Sequence, residues 1–384
     1  MTRKVCVVIT ARPSYSRIKT ALAAIRADPR LELQLVVAAS ALLDRYGAAD
    51  KVIEAEGFKI DRRVYMIVEG ENLVTSAKST GFGLSELATV LDDLKPDMVV
   101  SIADRFETIA TAIAAAYLHV PLVHVQGGEI TGSIDEKVRH AVTKLADIHL
   151  VASQHAAERV IRMGERAERV HVTGCPSIDV AKAAIEAPMV ADDIFATYGG
   201  VGPRLDLAKG YIVVMQHPVT QEHKSARWQV EQTLAAIRDI AMPTLWLWPN
   251  VDAGSDLTAR GLRAGRERGE LDHIHFFKNL PPEEFLRVLK GSACIVGNSS
   301  VGIRECAYLG VPAINIGSRQ TGRDRGANVI DVGYDRDAIR DAIRGTLAHG
   351  HVQSDALYGD GHAGTRIADV LATTSLETSK QLAY

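Results

Sequence analysis

Charged and hydroxyl residues recur in this sequence at one kind of place, directly after a short apolar run. Arg12 and Ser16 lie in Thr10-Ala-Arg-Pro-Ser-Tyr-Ser16, which follows the run Lys4–Thr10. Asp104 and Arg105 follow Met98–Ile102. Gln126 and Glu129 flank a Gly-Gly pair after Leu122–Val125, and Asp135 opens the helical pattern beyond. Three acids, Asp104, Glu129 and Asp135, grouped in this way can exchange protons with a bound substrate. Later in the chain, His217 ends the run Tyr211–Met215 in Met-Gln-His-Pro, and Asn250 lies in Pro-Asn-Val-Asp-Ala-Gly-Ser. Ser299, Ser300 and Glu305 belong to Gly-Asn-Ser-Ser-Val-Gly-Ile-Arg-Glu, and Arg319 to Gly-Ser-Arg-Gln-Thr-Gly-Arg. Serines beside glycines at a strand-to-helix turn present hydroxyls and backbone N–H groups to an oxyanion. Glu305 can accept hydrogen bonds from a ribose diol, and His217 can contact a phosphate or act as an acid. Each residue alone has a structural reading: Asp104 as a helix cap, His217 as a packed ring, Arg12 as a surface cation. The grouping is what points to chemistry. The first half offers carboxylates and the second offers phosphate and ribose contacts, a division that suits a nucleotide-sugar enzyme.

The elements that must position these residues follow a repeating rhythm. Apolar runs at Lys4–Thr10, Glu32–Ala39, Met98–Ile102, Leu122–Val125 and Ile148–Val151 read as strands. Helical patterns separate them at Arg17–Ala27, Leu84–Leu94, Phe106–Leu118 and Ile134–Ala146. The second half repeats this, with strands at Tyr211–Met215, Thr244–Trp248, Ile274–Phe276, Cys294–Gly297 and Ala313–Ile316. Its helices are at Ser225–Ile240, Pro282–Lys290, Gly302–Leu309 and Asp335–Ala348. Continuous apolar strands alternating with helices predict parallel sheets covered on both faces. The expected fold is α/β, with two doubly wound Rossmann-like domains and the ligand in the cleft at their strand ends. The boundaries are expected at 1–180 for the first domain, 181–210 for a linker and 211–364 for the second domain. A C-terminal helix over 365–384 is expected to pack back on the first domain.

Composition excludes other classes. The 384 residues carry 44 Lys and Arg against 47 Asp and Glu, a net charge of −3, which disfavours a nucleic-acid-coating protein. With 7 Phe, 3 Trp and 10 Tyr, a carbohydrate groove lined by stacked aromatics is not expected. Cys6, Cys175, Cys294 and Cys306 show no CxxC spacing and read as buried apolar residues of a reducing, cytoplasmic compartment. No apolar stretch suggests a signal peptide or a membrane span. The 13 histidines show no HExxH, and His273-x-His275 and His349-x-His351 read as solvent-facing. No metal site is expected. The first strand-to-helix turn, Thr10–Ser16, has no GxGxxG, and no P-loop or GxSxG is present, so a nicotinamide-dependent oxidoreductase or a serine hydrolase is disfavoured.

Taken in order, ARPSYSRIK, ADRFET, HVQGGEITGSIDEKVRHAVTKLA, GCPSID, MQHPVT, PNVDAGS, GNSSVGIRE, GVPAINIGSRQTGR and YGDG resemble the UDP-N-acetylglucosamine 2-epimerase family. The likeness is to its hydrolysing branch, which serves sialic-acid-type sugars. It implies the glycosyltransferase-B architecture, a UDP-linked substrate, no cofactor or metal, and a homodimer or homotetramer. It also implies anti elimination of UDP to a 2-acetamidoglucal, followed by hydration. By resemblance Asp104 and Asp135 are catalytic carboxylates, with Arg105 beside the first. Arg12 and His217 bind the diphosphate and assist its departure. Ser299 and Ser300 hold phosphate oxygens, Glu305 the ribose hydroxyls, and Arg319, Asn250 and Ser16 belong to the nucleotide or sugar side.

The sequence departs from the family at Gln126, where studied members carry a catalytic Glu. A carboxamide cannot act as a general acid or base. Either Glu129 takes over, or Gln126 only binds substrate, or the substrate or outcome differs, as with a 2,4-diacetamido-trideoxyhexose. The competing readings are a non-hydrolysing epimerase, a hydrolase without epimerisation, a glycosyltransferase of the same architecture and a non-catalytic nucleotide-sugar binder.

Overall fold

The structure, a computed structural model, describes residues 2–70, 73–102, 105–130, 134–186, 193–249, 255–267 and 271–383. It divides into two compact units. The first comprises the chain as far as Ile130, Ile134–Asp179 and the C-terminal return from Gly359; the second comprises Val180–Tyr358.

The first unit holds a parallel sheet of β1 (Arg3–Ile9), β2 (Leu31–Ala38), β3 (Arg62–Val64), β4 (Met98–Ile102), β5 (Leu122–Val125), β6 (Ile148–Val151) and β7 (Val170–Val172). Their spatial order is β3-β2-β1-β4-β5-β6-β7. The period of two along β1 sends Val5, Val7 and Ile9 to one face and Cys6 and Val8 to the other. The first face is covered by Leu22 and Ile25 of the helix Lys19–Ala27 and by Ile367 and Leu371 of the helix Ala363–Thr373. The second is covered by Leu87 and Leu91 of the helix Leu73–Leu94, by Ala110 and Ala114 of the helix Thr108–Tyr117, and by Val142 of the helix Ile134–Leu145. Both faces are dry, which is why the central strands read as unbroken apolar runs.

The second unit holds β8 (Ile212–Met215), β9 (Thr244–Leu247), β10 (Ile274–Phe277), β11 (Cys294–Gly297), β12 (Ala313–Ile316) and β13 (Val329–Val332), in the order β10-β9-β8-β11-β12-β13. Trp246, Phe276, Val214 and Ile314 fill one side of this sheet, and Val213, Leu245, Phe277 and Ile295 the other. Residues 181–210, expected to form a linker, contribute Ala181, Ala184 and Ile194 to this second core. An antiparallel bridge from Val201 to Phe276 covers the edge strand β10. His275, expected to face solvent, is instead buried. Its ring nitrogens lie 2.9 Å from the Pro203 carbonyl and 3.0 Å from the Gly199 carbonyl, which ties the 199–203 segment to the sheet edge.

The C-terminal return is fastened to the first unit by polar contacts as well as by its apolar face. Arg3 donates to the Leu371 and Thr374 carbonyls, Arg169 pairs with Glu377, and Lys380 pairs with the buried Glu165. Asp179 is the hub of this attachment. Its carboxylate accepts from the Thr20 hydroxyl at 2.8 Å and from the first two backbone N–H groups of the returning helix, Ala363 at 2.8 Å and Gly364 at 2.7 Å. One side chain thus caps one helix and holds another. Replacing Asp179 by Ala should therefore lower stability by about 2 kcal/mol, the sum expected of a lost cap and a lost charged hydrogen bond. Asp179→Asn, which keeps one acceptor, should lose less; equal melting temperatures for wild type and Asp179→Ala would remove the hub.

Candidate functional site

Each sheet reverses its winding direction once. In the first unit β1 is flanked by β2 and β4, and in the second β8 is flanked by β9 and β11. The loops leaving such a pair diverge to opposite faces and leave room for a ligand at the strand ends. Those of the candidate residues that lie among the described ones fall on these loops and their neighbours.

In the first unit, Arg12 opens the helix Arg12–Ser16 directly after β1. Its guanidinium lies over Gly47, and partial burial lowers its pKa. It stays cationic at neutral pH. Ser16 donates to the Arg12 carbonyl at 3.5 Å, and Tyr15 and Lys19 both bond Glu56, which fixes the turn. Arg105, beyond β4, is held through Nε by Glu107 at 3.0 Å. Glu107 is wholly buried, and its second oxygen has no partner. Sequence reasoning passed over Glu107; the signal was an acid two residues from a candidate cation at a strand end. Asp104 and Asn250 lie outside the described residues.

Gln126 follows β5 with a φ of 67°, a left-handed conformation that costs a side-chain-bearing residue on the order of 1 kcal/mol or more. Its carboxamide is buried and donates to the Cys175 sulfur at 3.0 Å, and Cys175 lies 3.0 Å from the Ser177 hydroxyl. Cys175 is therefore a partner within a polar chain as well as a buried thiol. Gly128, at φ 76°, has no room for a side chain, because a Cβ there would lie 2.3 Å from the Ala156 carbonyl oxygen. The Gly-Gly pair thus packs against the helix Gln154–Arg162, with Arg159 donating to the Gly128 carbonyl at 3.2 Å. The next residue, Glu129, is buried, and its carbonyl accepts from Arg139 at 2.8 Å. Arg139, on the helix Ile134–Leu145, is itself 1% exposed and also pairs with Glu136. Asp135 lies in the first turn of that helix, where a carboxylate is favoured.

In the second unit one residue joins the two loops of the reversal. The Asn298 side chain accepts from the His217 backbone N–H at 2.7 Å and donates to the His217 carbonyl at 2.8 Å. These two bonds extend the β8–β11 ladder by one step through a side chain. Gly297 makes the approach possible, since a Cβ there would lie 2.2 Å from the Met215 carbonyl oxygen. The Asn298 carbonyl in turn accepts from Arg319 at 3.1 Å and Gln320 at 2.8 Å, so three loops converge on Asn298. His217 is buried beside the Arg319 charge. Burial first, and that cation second, push its pKa down to about 3. The resting ring is neutral at physiological pH, suited to hydrogen-bonding a diphosphate oxygen; a bound dianion would draw its pKa upward. The Ser299 hydroxyl caps the Val301 N–H at 3.4 Å, and the Ser300 hydroxyl accepts from Arg304 at 3.1 Å. Glu305 begins a second short helix, with one carboxylate oxygen buried and unpartnered. A buried acceptor left bare in a native fold calls for a ligand or water to satisfy it.

These features define a doubly wound α/β enzyme of the glycosyltransferase-B type, with acids at the strand ends of one unit and anion- and hydroxyl-binding groups at those of the other. Among the described residues, no group of three His, Cys, Asp or Glu is placed to hold a metal ion, and no helix is long and apolar enough to cross a membrane.

Residues 23–372 match the model of the UDP-N-acetylglucosamine 2-epimerase family. The chain is 32% identical over 380 residues to the UDP-N,N'-diacetylbacillosamine 2-epimerase (hydrolyzing) of Legionella pneumophila, covering 98% of both chains. It is 31% identical to the UDP-N-acetylglucosamine 2-epimerase of Neisseria meningitidis serogroup B, covering 97% of this chain and 95% of the other. The crystal structure of a Neisseria meningitidis UDP-GlcNAc 2-epimerase bound to UDP-GlcNAc has the same fold, with a TM-score of 0.79 at 17% identity over 96% of this chain and 99% of that one. The protein belongs to the UDP-N-acetylglucosamine 2-epimerase family.

The neutral His217 has a measurable consequence. Between pH 6.5 and about 3 the unfolded chain holds a proton on this residue that the folded chain lacks. Stability therefore falls as pH drops through this window, by about 1.4 kcal/mol per pH unit for one proton. His217→Gln should flatten the slope between pH 6.5 and 5 by that amount in urea unfolding. An unchanged slope would show that His217 does not titrate in this way.

Proposed function

We propose that this chain is a hydrolysing 2-epimerase of a UDP-linked 2-acetamido sugar, yielding free 2-epimeric sugar and UDP. The observation that carries this reading is the identity, over nearly the full length of both chains, to a Legionella pneumophila relative whose name states hydrolysis. In the proposed reaction a base takes the C2 proton, the electrons of that C–H bond form the C1–C2 double bond, and UDP departs with the C1–O pair. Water then adds across the double bond, its hydroxyl to C1 and a proton to the opposite face of C2. Asp104 and Asp135 are the proposed proton-transfer groups, supported by motif and, for Asp135, by its place in the first helical turn.

Arg12 and Arg319 are the proposed cations for the diphosphate, with neutral His217 as a hydrogen-bonding partner. Ser299 and Ser300 use their hydroxyl protons toward phosphate oxygens, since the acceptor side of each is already engaged. The bare Glu305 oxygen supports its role toward the ribose hydroxyls. Arg105 beside Asp104, together with Ser16 and Asn250, completes the proposed contacts on the sugar and nucleotide. Gln126, anchored to Cys175, fits a substrate-binding role, and Glu129 remains the buried acid nearest to it in sequence.

Incubation with UDP-N-acetylglucosamine, and separately with its 2,4-diacetamido-trideoxy analogue, in deuterated water tests the reaction. One of the two should give UDP and free epimer carrying deuterium at C2. A UDP-linked epimer would establish the non-hydrolysing course instead, and UDP release with C2 unchanged would sink epimerisation. Asp135→Asn should abolish turnover while sparing UDP binding. Glu305→Ala should weaken UDP binding about tenfold, equivalent to about 1.4 kcal/mol, in a calorimetric titration. Gln126→Glu should shift the preference between the two sugars; identical kcat/KM ratios before and after would exclude Gln126 from substrate choice.

A further inference from the structure

We infer, on the reading above in which Arg319 and His217 hold the diphosphate, that Glu222 is a positioning residue for Arg319. Its carboxylate clasps the loop that carries Arg319 to the loop that carries His217. Glu222 lies two residues beyond the segment Met-Gln-His-Pro-Val-Thr, in the short helical turn Thr220–Ser225 that follows β8. It receives donors from two other elements. The Ser318 hydroxyl, two residues beyond the end of β12, donates to one carboxylate oxygen. The Gln229 carboxamide donates to the other at 2.6 Å. Gln229 is buried on the helix Ala226–Ile240, so this second bond ties Glu222 to the packed body of the unit.

A carboxylate suits this place because it offers a separate acceptor oxygen to each donor. The buried Tyr334 hydroxyl stands beside the same group; burial first, and the Glu222 charge second, raise its pKa. The Tyr334 ring in turn packs on Gly317, at φ 74°, where a Cβ would lie 2.2 Å from a ring carbon. Glycine there lets the loop lie close on the ring, one residue before Ser318. The residue after Ser318 is fastened elsewhere: Arg319 donates to the Asn298 carbonyl at 3.1 Å, and Gln320 donates to the same oxygen at 2.8 Å. Two donors on one oxygen supply a pivot, and the attachment of Ser318 to a different loop removes the freedom that a pivot leaves. The Arg319 charge already registers at His217, as the second cause of its lowered pKa. A cation held in place before the ligand arrives spares the complex the cost of ordering it. The bond from Ser318 to Glu222 is exposed, so it acts through geometry and its loss is worth a modest factor.

A double-mutant cycle on the full chain tests the clasp, with UDP as the ligand in calorimetric titrations. Glu222→Ala should raise the UDP dissociation constant about fivefold, the loss expected of one hydrogen bond to a charged group. In an Arg319→Ala background the same substitution should change it by less than about twofold, because the group it positions is already gone. Ser318→Ala should weaken binding in the same direction, by about threefold, and Ser318→Thr, which keeps the hydroxyl, should bind within about twofold of wild type. The Ser318 variants also cover the case in which Glu222→Ala unfolds, since Ser318 is exposed and its truncation leaves the core untouched. Wild-type affinity in Glu222→Ala or in Ser318→Ala would overturn the clasp, as would an equal loss from Glu222→Ala with and without Arg319. An Arg319→Ala variant with wild-type affinity would instead sink the diphosphate role given to Arg319 above, and the purpose of the clasp with it. Each readout is of binding, so none depends on which sugar or which course of reaction the enzyme follows.

Discussion

The whole arrangement depends on the reversal of winding direction in each sheet. A parallel strand buried on both faces must be followed by a helix that returns the chain to the starting edge. As long as successive strands add in one direction, the loops at their ends lie over the same face. Where the fourth strand is laid on the other side of the first, the loops part. That parting occurs between β1 and β4 in the first unit and between β8 and β11 in the second. Arg12, Arg105, His217 and Ser299 all stand on loops from those four strands. None of these residues needs an unusual backbone to reach the strand ends, because the topology brings them there.

The polar groups at these loops are held with unusual completeness on one side and left open on the other. Asn298 satisfies both backbone groups of His217 while its own carbonyl takes two further donors. Glu107 fixes Arg105 from below, and Arg139 fixes the carbonyl of Glu129. Against this scaffolding, single oxygens of Glu107 and Glu305 remain buried and unmatched. Leaving such oxygens bare costs stability, so a fold that keeps them places the cost where a ligand or a proton can recover it. The left-handed backbone at Gln126 belongs to the same pattern: a strained residue whose side chain donates to Cys175, which is itself in contact with the Ser177 hydroxyl, from a distant part of the chain.

Much of the fold was legible in the residues. The central strands β4, β5, β6, β11 and β12 occupy the spans their apolar runs predict. The three strands that went unread, β3 (RRV), β7 (VHV) and β13 (VIDV), all lie at sheet edges. An edge strand has one neighbour and partial exposure, so it needs neither length nor a continuous apolar run. The helix Leu73–Leu94 begins earlier than its apolar period suggested, because its first turns expose Val74 and Phe82 in place of a polar face. His275 was read as solvent-facing from an alternating motif, but a segment brought from residues 199–203 buries it.

Composition and local pattern by themselves determined the α/β class, the alternation of strand and helix, and the clustering of acids and anion-binding groups after apolar runs. These are local consequences of side-chain period and burial. The order in which strands are laid down was decided only in three dimensions, since a crossover of given length can place its strand on either side. The same holds for Asn298 clasping His217, Cys175 holding Gln126, and Asp179 receiving a helix that starts 184 residues later. Each joins residues far apart in the chain through only one or two hydrogen bonds, and no period in the sequence encodes which distant partner will be there.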